Sequence, residues 1–154
     1  MKAKNKYFSP IKREEITEEI KGRKESPSPH LALGKVVAMG DARQARDFYC
    51  PGGTPVFAAQ KGKVAFILPQ DNMFGQDCRV ILEHPKGEYT TYSPFKRGTI
   101  PLKVGDMVKK GDLIGNVDNP KRDAINSHLR FFAFKLSSPQ PWKDYETLEV
   151  DFEK

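Results

Sequence analysis

A histidine and an arginine, His128 and Arg130, lie two residues apart in the segment SHLRFF, residues 127–132. The rest of the segment is largely apolar and is typical of a β-strand, in which residues two apart point to the same face. Two histidines at this spacing could hold or serve a metal ion. An arginine guanidinium stays protonated and has no lone pair to donate. The pair therefore raises the question of whether this strand carries the remnant of a metal site.

The two cysteines, Cys50 and Cys78, are too few for a disulfide scaffold, and they lack the paired CxxC spacing of a zinc ribbon. We expect both to be buried, reduced thiols, with one disulfide between them as the alternative. A thiol catalyst would need a neighbouring base, for which His128 is the candidate. A structural role is favoured for both cysteines.

Two further histidines are expected to be partly exposed surface residues. His84 follows the apolar segment VILE, and His30 lies in the proline-rich stretch ESPSPH. A new set of metal ligands that includes them is the alternative interpretation.

Composition sets broad limits on the class of protein. The chain has 154 residues, of which 38% are apolar and 30% charged, and a formal net charge of +6. It is long enough for one domain with a hydrophobic core. The basic excess suits anionic partners such as cell-wall polymers, a membrane surface or nucleic acid. Nucleic acid is disfavoured because the basic residues are interspersed with acidic ones and none of the usual aromatic stacking motifs is present.

The segments that must position these side chains have a sequence pattern typical of β-strands. From Leu31 onward, short stretches rich in β-branched and aromatic residues are separated by Gly, Pro, Asp and Asn. They are GKVVAMG, TPVFAAQKGKVAFIL, CRVILEH, EYTTYSPF, DLIGNV, HLRFFAFKL and TLEVDF. The pattern predicts one all-β domain over residues 31–154, a sandwich or barrel.

Residues 1–30 form a charged N-terminal arm of different composition. Ile11, Ile16 and Ile20 lie near one stripe of a helix in KREEITEEIKGRK, and Ser9 before Pro10 suits a helix start. We expect a short helical or disordered arm, loosely docked on the β domain, with a partner-binding tail as the alternative.

Residues 101–117, PLKVGDMVKKGDLIGNV, supply two tight turns six residues apart, at Gly105 and Gly111. Val108, Leu113 and Ile114 are available to fill the layer between them. This segment is similar to lipoyl and biotinyl domains and to the larger duplicated-hybrid-motif folds. A swinging-arm domain presents a lysine at a hairpin tip, and AMGD and DNMFG lack one. The larger duplicated hybrid motif is therefore favoured.

Together with GGTPVFAAQKGKV, this region makes the chain resemble the lysostaphin-type zinc endopeptidases, metallopeptidases that cut peptide cross-links in bacterial cell walls. The resemblance covers about Asp41 to Leu136. DFYCPGGTPVFAAQKGKV looks like the family's Asp-led strand and Gly-Thr-Pro-Val segment, and CRVILEH like its next core strand. TTYSPF lies where the family has Tyr-x-His-Leu, and SHLRFF where it has His-x-His-Phe. The order of the pieces implies the family's β fold.

The resemblance also implies that the zinc site is degenerate. The family's zinc ligands are the histidine and aspartate of His-x-x-x-Asp and the second histidine of His-x-His, which match Arg43, Asp47 and Arg130. Its two remaining active-site histidines match Pro94 and His128. A catalytic zinc needs three protein ligands and an open position for water, so zinc is expected only if the site is rearranged.

These matches imply a pseudoenzyme. The resemblance predicts a non-catalytic binding or regulatory module of the cell envelope, in which arginines replace zinc as a brace around Asp47. Arg43, Asp47, Tyr92, His128 and Arg130 would alternatively line a groove that binds an anion or a peptide. The alternative function is an active zinc metalloendopeptidase of cell-wall peptides with a rearranged site.

The expected partners are a peptidoglycan peptide or another envelope protein. Trp142, in SPQPWKDY, is expected to pin the C-terminal segment to the core, or else to serve as a platform for wall sugars. No run of about 18 apolar residues is present, so no transmembrane segment is predicted.

The sequence leaves the compartment open. Residues 1–26 contain lysines but no apolar core or cleavage pattern, so they do not resemble a signal peptide. A native start at Met1 would place the protein in the cytoplasm, whereas the resemblance favours the envelope if an export signal is missing from the sequence.

Overall fold

A computed structural model describes residues 2–21, 30–32, 35–37, 44–68, 78–118, 127–136 and 145–153. Short strands account for most of the regular structure in these ranges. The strands are β1 (Tyr7–Phe8), β2 (Glu18–Lys21), β3 (His30–Ala32), β4 (Lys35–Val37), β5 (Arg46–Tyr49), β6 (Pro55–Phe57), β7 (Gly62–Leu68), β8 (Arg79–Glu83), β9 (Glu88–Ser93), β10 (Met107–Val108), β11 (Leu113–Asn116), β12 (His128–Leu136), β13 (Tyr145–Leu148) and β14 (Phe152–Glu153). No helix in the described ranges has the length and apolar character needed to cross a membrane.

In the described part of the chain, eight strands form the main sheet, in the spatial order β10–β7–β8–β9–β12–β5–β2, with β13 also paired to β12. Neighbouring strands in this sheet run antiparallel. Strands β6 and β11 form a separate antiparallel pair, as do β3 and β4. The predicted all-β fold is confirmed.

Alternate residues of β12 pack into two apolar clusters. Leu129 and Phe131 belong to the main core, whereas Phe132 and Phe134 belong to a smaller cluster on the opposite face. Full burial of a side chain of this size contributes roughly 1.5–3 kcal/mol. A one-residue shift of the strand would exchange Leu129 and Phe131 with the charged Arg130, so the core fixes the register of β12.

The N-terminal arm differs from the helix that its isoleucine spacing predicts. One 3-10 turn, Arg13–Glu15, lies between β1 and β2, and β2 pairs with β5 while β1 pairs with β14. Ile11 is fully buried in the main core. Pairing with the open edge of β5 satisfies backbone groups across the sheet, and this tertiary interaction outweighs the local helix propensity.

The two predicted glycine turns are present. Gly105 and Gly111 both have positive φ angles, +96° and +87°, which glycine adopts without a Cβ penalty. In each turn an aspartate carboxylate caps a backbone amide three residues earlier: Lys103 N–H donates to Asp106 and Lys109 N–H donates to Asp112, at 2.9 and 2.8 Å. The repeated turn brings β10 onto β7 and β11 onto β6.

Candidate functional site

The pairing of β5 with β12 brings together residues that lie 83 positions apart in the chain. Arg130 lies opposite Asp47, and His128 lies opposite Tyr49. Directly opposed residues of an antiparallel pair project from the same face. Because Leu129 and Phe131 enter the main core, these four side chains project from the other face of the sheet.

Asp47 and Arg130 form a buried ion pair. Arg130 Nε donates to Asp47 Oδ1 at 3.0 Å, and Arg130 Nη2 lies 3.4 Å from Asp47 Oδ2. The two residues are 1% and 6% exposed. A guanidinium that engages both oxygens of a carboxylate combines charge with a fixed planar geometry. The pair therefore joins β5 to β12 through side chains as well as through the backbone.

The ion pair is part of a longer transverse row, which we call the buried polar row: Arg79, Ser93, Arg130 and Asp47. Ser93 of β9 lies opposite Arg130, and because Val80 pairs with Tyr92, Arg79 falls beside Ser93 on β8. Arg79 is 2% exposed. The row places two guanidinium groups and one carboxylate across four adjacent strands.

His128 lies at the end of this face and is only half-buried. Its ring contacts the ring of Tyr49, with centroids 5.1 Å apart and planes inclined by 31°. The structure thus brings together three of the predicted site residues, Asp47, His128 and Arg130. Arg43 lies outside the described residues, as does Trp142.

Tyr92 does not join this group. It lies opposite Phe131 and is fully buried in the main core, on the other side of the sheet. Its hydroxyl accepts a hydrogen bond from the backbone N–H of Ala59 at 3.1 Å, and burial raises the pKa of the Tyr92 hydroxyl. The inclusion of Tyr92 in a groove was therefore wrong, because its strand register points the ring inward. Pro94 follows Ser93 through a cis peptide bond.

His84 is also placed differently from the prediction of a partly exposed residue, since it is 4% exposed. Its Nδ1 lies 2.7 Å from the carbonyl oxygen of Lys61, which can only accept, so Nδ1 carries the proton. Its Nε2 lies 2.7 Å from Thr90 Oγ1 and accepts from that hydroxyl. Burial lowers the pKa of His84. A neutral imidazole with both nitrogens engaged has no free lone pair for a metal ion.

Cys50 and Cys78 are both buried, as predicted, and the structure has no disulfide between them. Burial raises the pKa of the Cys50 thiol, which disfavours the reactive thiolate.

The residues on this face do not fit a catalytic zinc ion. Within the described ranges, no three His, Cys, Asp or Glu side chains converge as a metal-binding group. Arg130 directs its N–H groups at both oxygens of Asp47, so the one matched carboxylate is already engaged. A guanidinium supplies no lone pair and would repel a dication.

Residues 41–140 match the model of Peptidase family M23. Solved structures with the same fold include lysostaphin from Staphylococcus simulans, at 25% identity and a TM-score of 0.53, covering 70% of this chain and 40% of that one. LytU is 27% identical, with a TM-score of 0.54, covering 79% and 73%. A zinc-containing peptidase from Vibrio cholerae is 21% identical, with a TM-score of 0.61, covering 97% and 41%. The chain thus spans about two fifths of lysostaphin and of the Vibrio cholerae peptidase. No curated protein matches the chain.

Proposed function

Because the chain belongs to peptidase family M23, we propose that it is a non-catalytic, peptidase-like binding module of the cell envelope. The observation that carries this proposal is the buried pair of Asp47 and Arg130. The pair occupies two of the positions at which the sequence resemblance expects zinc ligands. It supports a role in which the guanidinium holds the strands that a metal ion holds in an active peptidase.

Loss of hydrolysis follows from the chemistry of the replacements. Activation of water by zinc requires three ligands with lone pairs, and Arg130 supplies none. Pro94 has no proton to give or take at the position of a catalytic histidine. His128 is retained, but a general base without an activated nucleophile or a Lewis acid does not cleave a peptide bond at a useful rate.

A binding role is supported by the polar character of the sheet face. His128 is half-buried beside the ring of Tyr49, and the guanidinium of Arg130 lies in the next row of the sheet. The proposed ligand is a cell-wall peptide that carries a carboxylate.

Metal content tests the non-catalytic assignment. After dialysis against trace zinc, we expect less than about a tenth of an equivalent in the natural chain. The double variant Arg43→His with Arg130→His should retain close to one equivalent, because the family resemblance matches both positions to histidine ligands that complete a three-ligand set with Asp47. Zinc near one equivalent in the natural chain, lost in Asp47→Ala and accompanied by hydrolysis of cell-wall peptides, would establish the active peptidase instead.

Co-sedimentation with purified, insoluble peptidoglycan tests the binding role separately. The natural chain should sediment with the polymer, and His128→Ala should reduce the bound fraction several-fold while leaving the circular dichroism spectrum unchanged. Lys135→Ala, on the same strand, serves as the matched control. Absence of sedimentation at saturating polymer would reject the binding role even if the protein contains no zinc.

A further inference from the structure

A cavity of about 680 Å³ opens at the end of β8 that is remote from the buried polar row. Arg79 begins β8 and Glu83 ends it, and a strand of this length separates the two by roughly 13 Å. The cavity lies between the start of β7, the turn after β8, and β10. Its volume falls within the range of ligand-binding pockets, about 300–1,000 Å³.

The base of the cavity is rigid and largely apolar. Val108 and Gly62 line it and are buried, as is the neutral ring of His84. A Cβ atom on Gly62 would lie 2.3 Å from the carbonyl oxygen of Glu83 and 2.9 Å from His84 Nδ1. Glycine therefore allows β7 and the His84 ring to pack at this distance, and the base is built into the sheet.

The rim combines an exposed apolar side chain with positive charge. Met107 is 75% exposed, although its neighbour Val108 is buried. Three lysines, Lys61, Lys63 and Lys109, line the cavity, and all three are exposed. Methionine is a flexible, polarisable side chain that adapts to apolar groups of a partner.

The positive charge along the cavity rim extends onto the adjoining surface. Lys86 lies on the turn after β8, and its ammonium is 3.4 Å from the carbonyl oxygen of Lys4 on the N-terminal arm. Lys6 lies next to the same region, because its carbonyl oxygen accepts a hydrogen bond from Gln60. The basic patch therefore extends beyond the cavity lining.

Hydrogen-bond acceptors and a terminal strand also line the cavity. Glu83 and Asp112 also line the cavity, and among the described residues β10 is the terminal strand of the main sheet, where it pairs with β7. Carboxylates and the backbone carbonyl groups of a terminal strand match the N–H groups of a polypeptide.

We propose that this cavity binds a short acidic peptide segment of a partner protein. The apolar side chain of the segment would lie against Met107 and Val108, and its carboxylates would lie near Lys61, Lys63 and Lys109. A polyphosphate chain is a poorer match, because it offers nothing to the apolar base. This site is separate from the proposed peptide-binding face around His128 and does not depend on it.

Fluorescence anisotropy with a defined probe tests the proposal. The probe is the acetylated, amidated peptide Glu-Leu-Asp-Phe-Glu carrying fluorescein, with Gln-Leu-Asn-Phe-Gln as the neutral counterpart. We expect saturable binding of the acidic probe below about 1 mM and much weaker binding of the neutral one. The amide signals of residues in β7 and β10 should shift in two-dimensional NMR spectra of the complex.

Charge-reversal variants locate the site. The double variant Lys61→Glu with Lys109→Glu should weaken binding of the acidic probe by roughly tenfold or more, because two attractive charges become repulsive. Lys96→Glu with Arg97→Glu makes the same change in net charge on exposed residues outside the cavity, and should alter the affinity by less than about twofold. Equal weakening by both variants, or no saturation at about 1 mM, would overturn the proposal.

A third variant separates a peptide from a polyanion. Met107→Ser removes the exposed apolar side chain without changing the charge, so it should weaken binding of the peptide several-fold. Tighter binding of inorganic polyphosphate, unaffected by Met107→Ser, would show that the lysines recognise charge alone. His128→Ala should leave peptide binding at the cavity unchanged, and a loss in that variant would place the peptide on the other face.

Discussion

Replacing Arg130 by methionine should strongly destabilise the fold. The substitution keeps a long apolar stem but removes the guanidinium that engages both oxygens of Asp47, a carboxylate that is 1% exposed. Breaking a buried ion pair by removing one partner costs about 3–5 kcal/mol. A domain of this size has roughly 5–15 kcal/mol of stability, and each kcal/mol lowers Tm by about 2–4 °C. We therefore expect Tm to fall by roughly 6–20 °C.

A double-mutant cycle isolates the contribution of the pair. Asp47→Asn alone should also destabilise the protein, because Arg130 is then buried without its carboxylate. The combination of Asp47→Asn with Arg130→Met should cost clearly less than the sum of the two single variants, with a coupling energy of about 1–3 kcal/mol. Urea unfolding of all four proteins, followed by circular dichroism with a chelator present, gives these free energies.

Additive effects within about 0.5 kcal/mol would refute a bracing role for the pair. A loss in the free energy of unfolding of less than about 1 kcal/mol in Arg130→Met would also refute the bracing role, because exposed ion pairs contribute amounts in this range. The chelator ensures that a metal ion does not contribute to either result.

Three further predictions concern residues outside the ion pair. Burial lowers the pKa of His84 in the folded protein. As the pH falls below about 6.5, His84 is therefore protonated in the unfolded chain before it is protonated in the folded protein. Stability should therefore fall as the pH decreases through this range, by at most about 1.4 kcal/mol per pH unit, and His84→Asn should flatten the slope measured by urea unfolding at pH 7.5 and 5.5. Gly62→Ala should cost roughly 1–3 kcal/mol through the contact of its Cβ with the carbonyl oxygen of Glu83, and a thermal melt that matches the natural chain would contradict this. Cys50 and Cys78 should resist Ellman's reagent in the native protein and both react after denaturation, whereas rapid labelling of either thiol in the native state would show that it is accessible.

Much of the fold could be predicted because period-two patterns and glycine turns are local signals. HLRFFAFKL alternates apolar side chains between the two faces of β12, and Gly105 and Gly111 adopt the turns that their spacing predicts. The N-terminal arm was less predictable, because Ile11 and Ile16 suit a helical stripe as well as the edge of a sheet. Whether this segment forms a helix or a strand depends on the edge of β5, with which β2 pairs, and that edge exists only once the sheet has assembled.

The candidate site shows the same division between local and non-local information. Asp47 and Arg130 were identified through the family resemblance, and their contact depends on strand register. Arg79 was missed, since its place beside Ser93 follows from the pairing of β8 with β9 and no motif marks it. His84 was misplaced because its burial depends on Gly62, which lies 22 residues earlier and leaves room for the ring.

The parallel pairing of β1 with β14 determines how the fold would respond to mechanical tension. Tyr7 lies beside Phe152, and Lys2 forms a further parallel bridge to Glu149. Force applied between residues 2 and 153 pulls two parallel neighbouring strands in opposite directions along their axes. Their hydrogen bonds are then loaded in shear and must break together, rather than one after another as in an unzipped hairpin. Rupture in a single-molecule pulling experiment should therefore begin at this short pair, before the eight-stranded sheet bears the load.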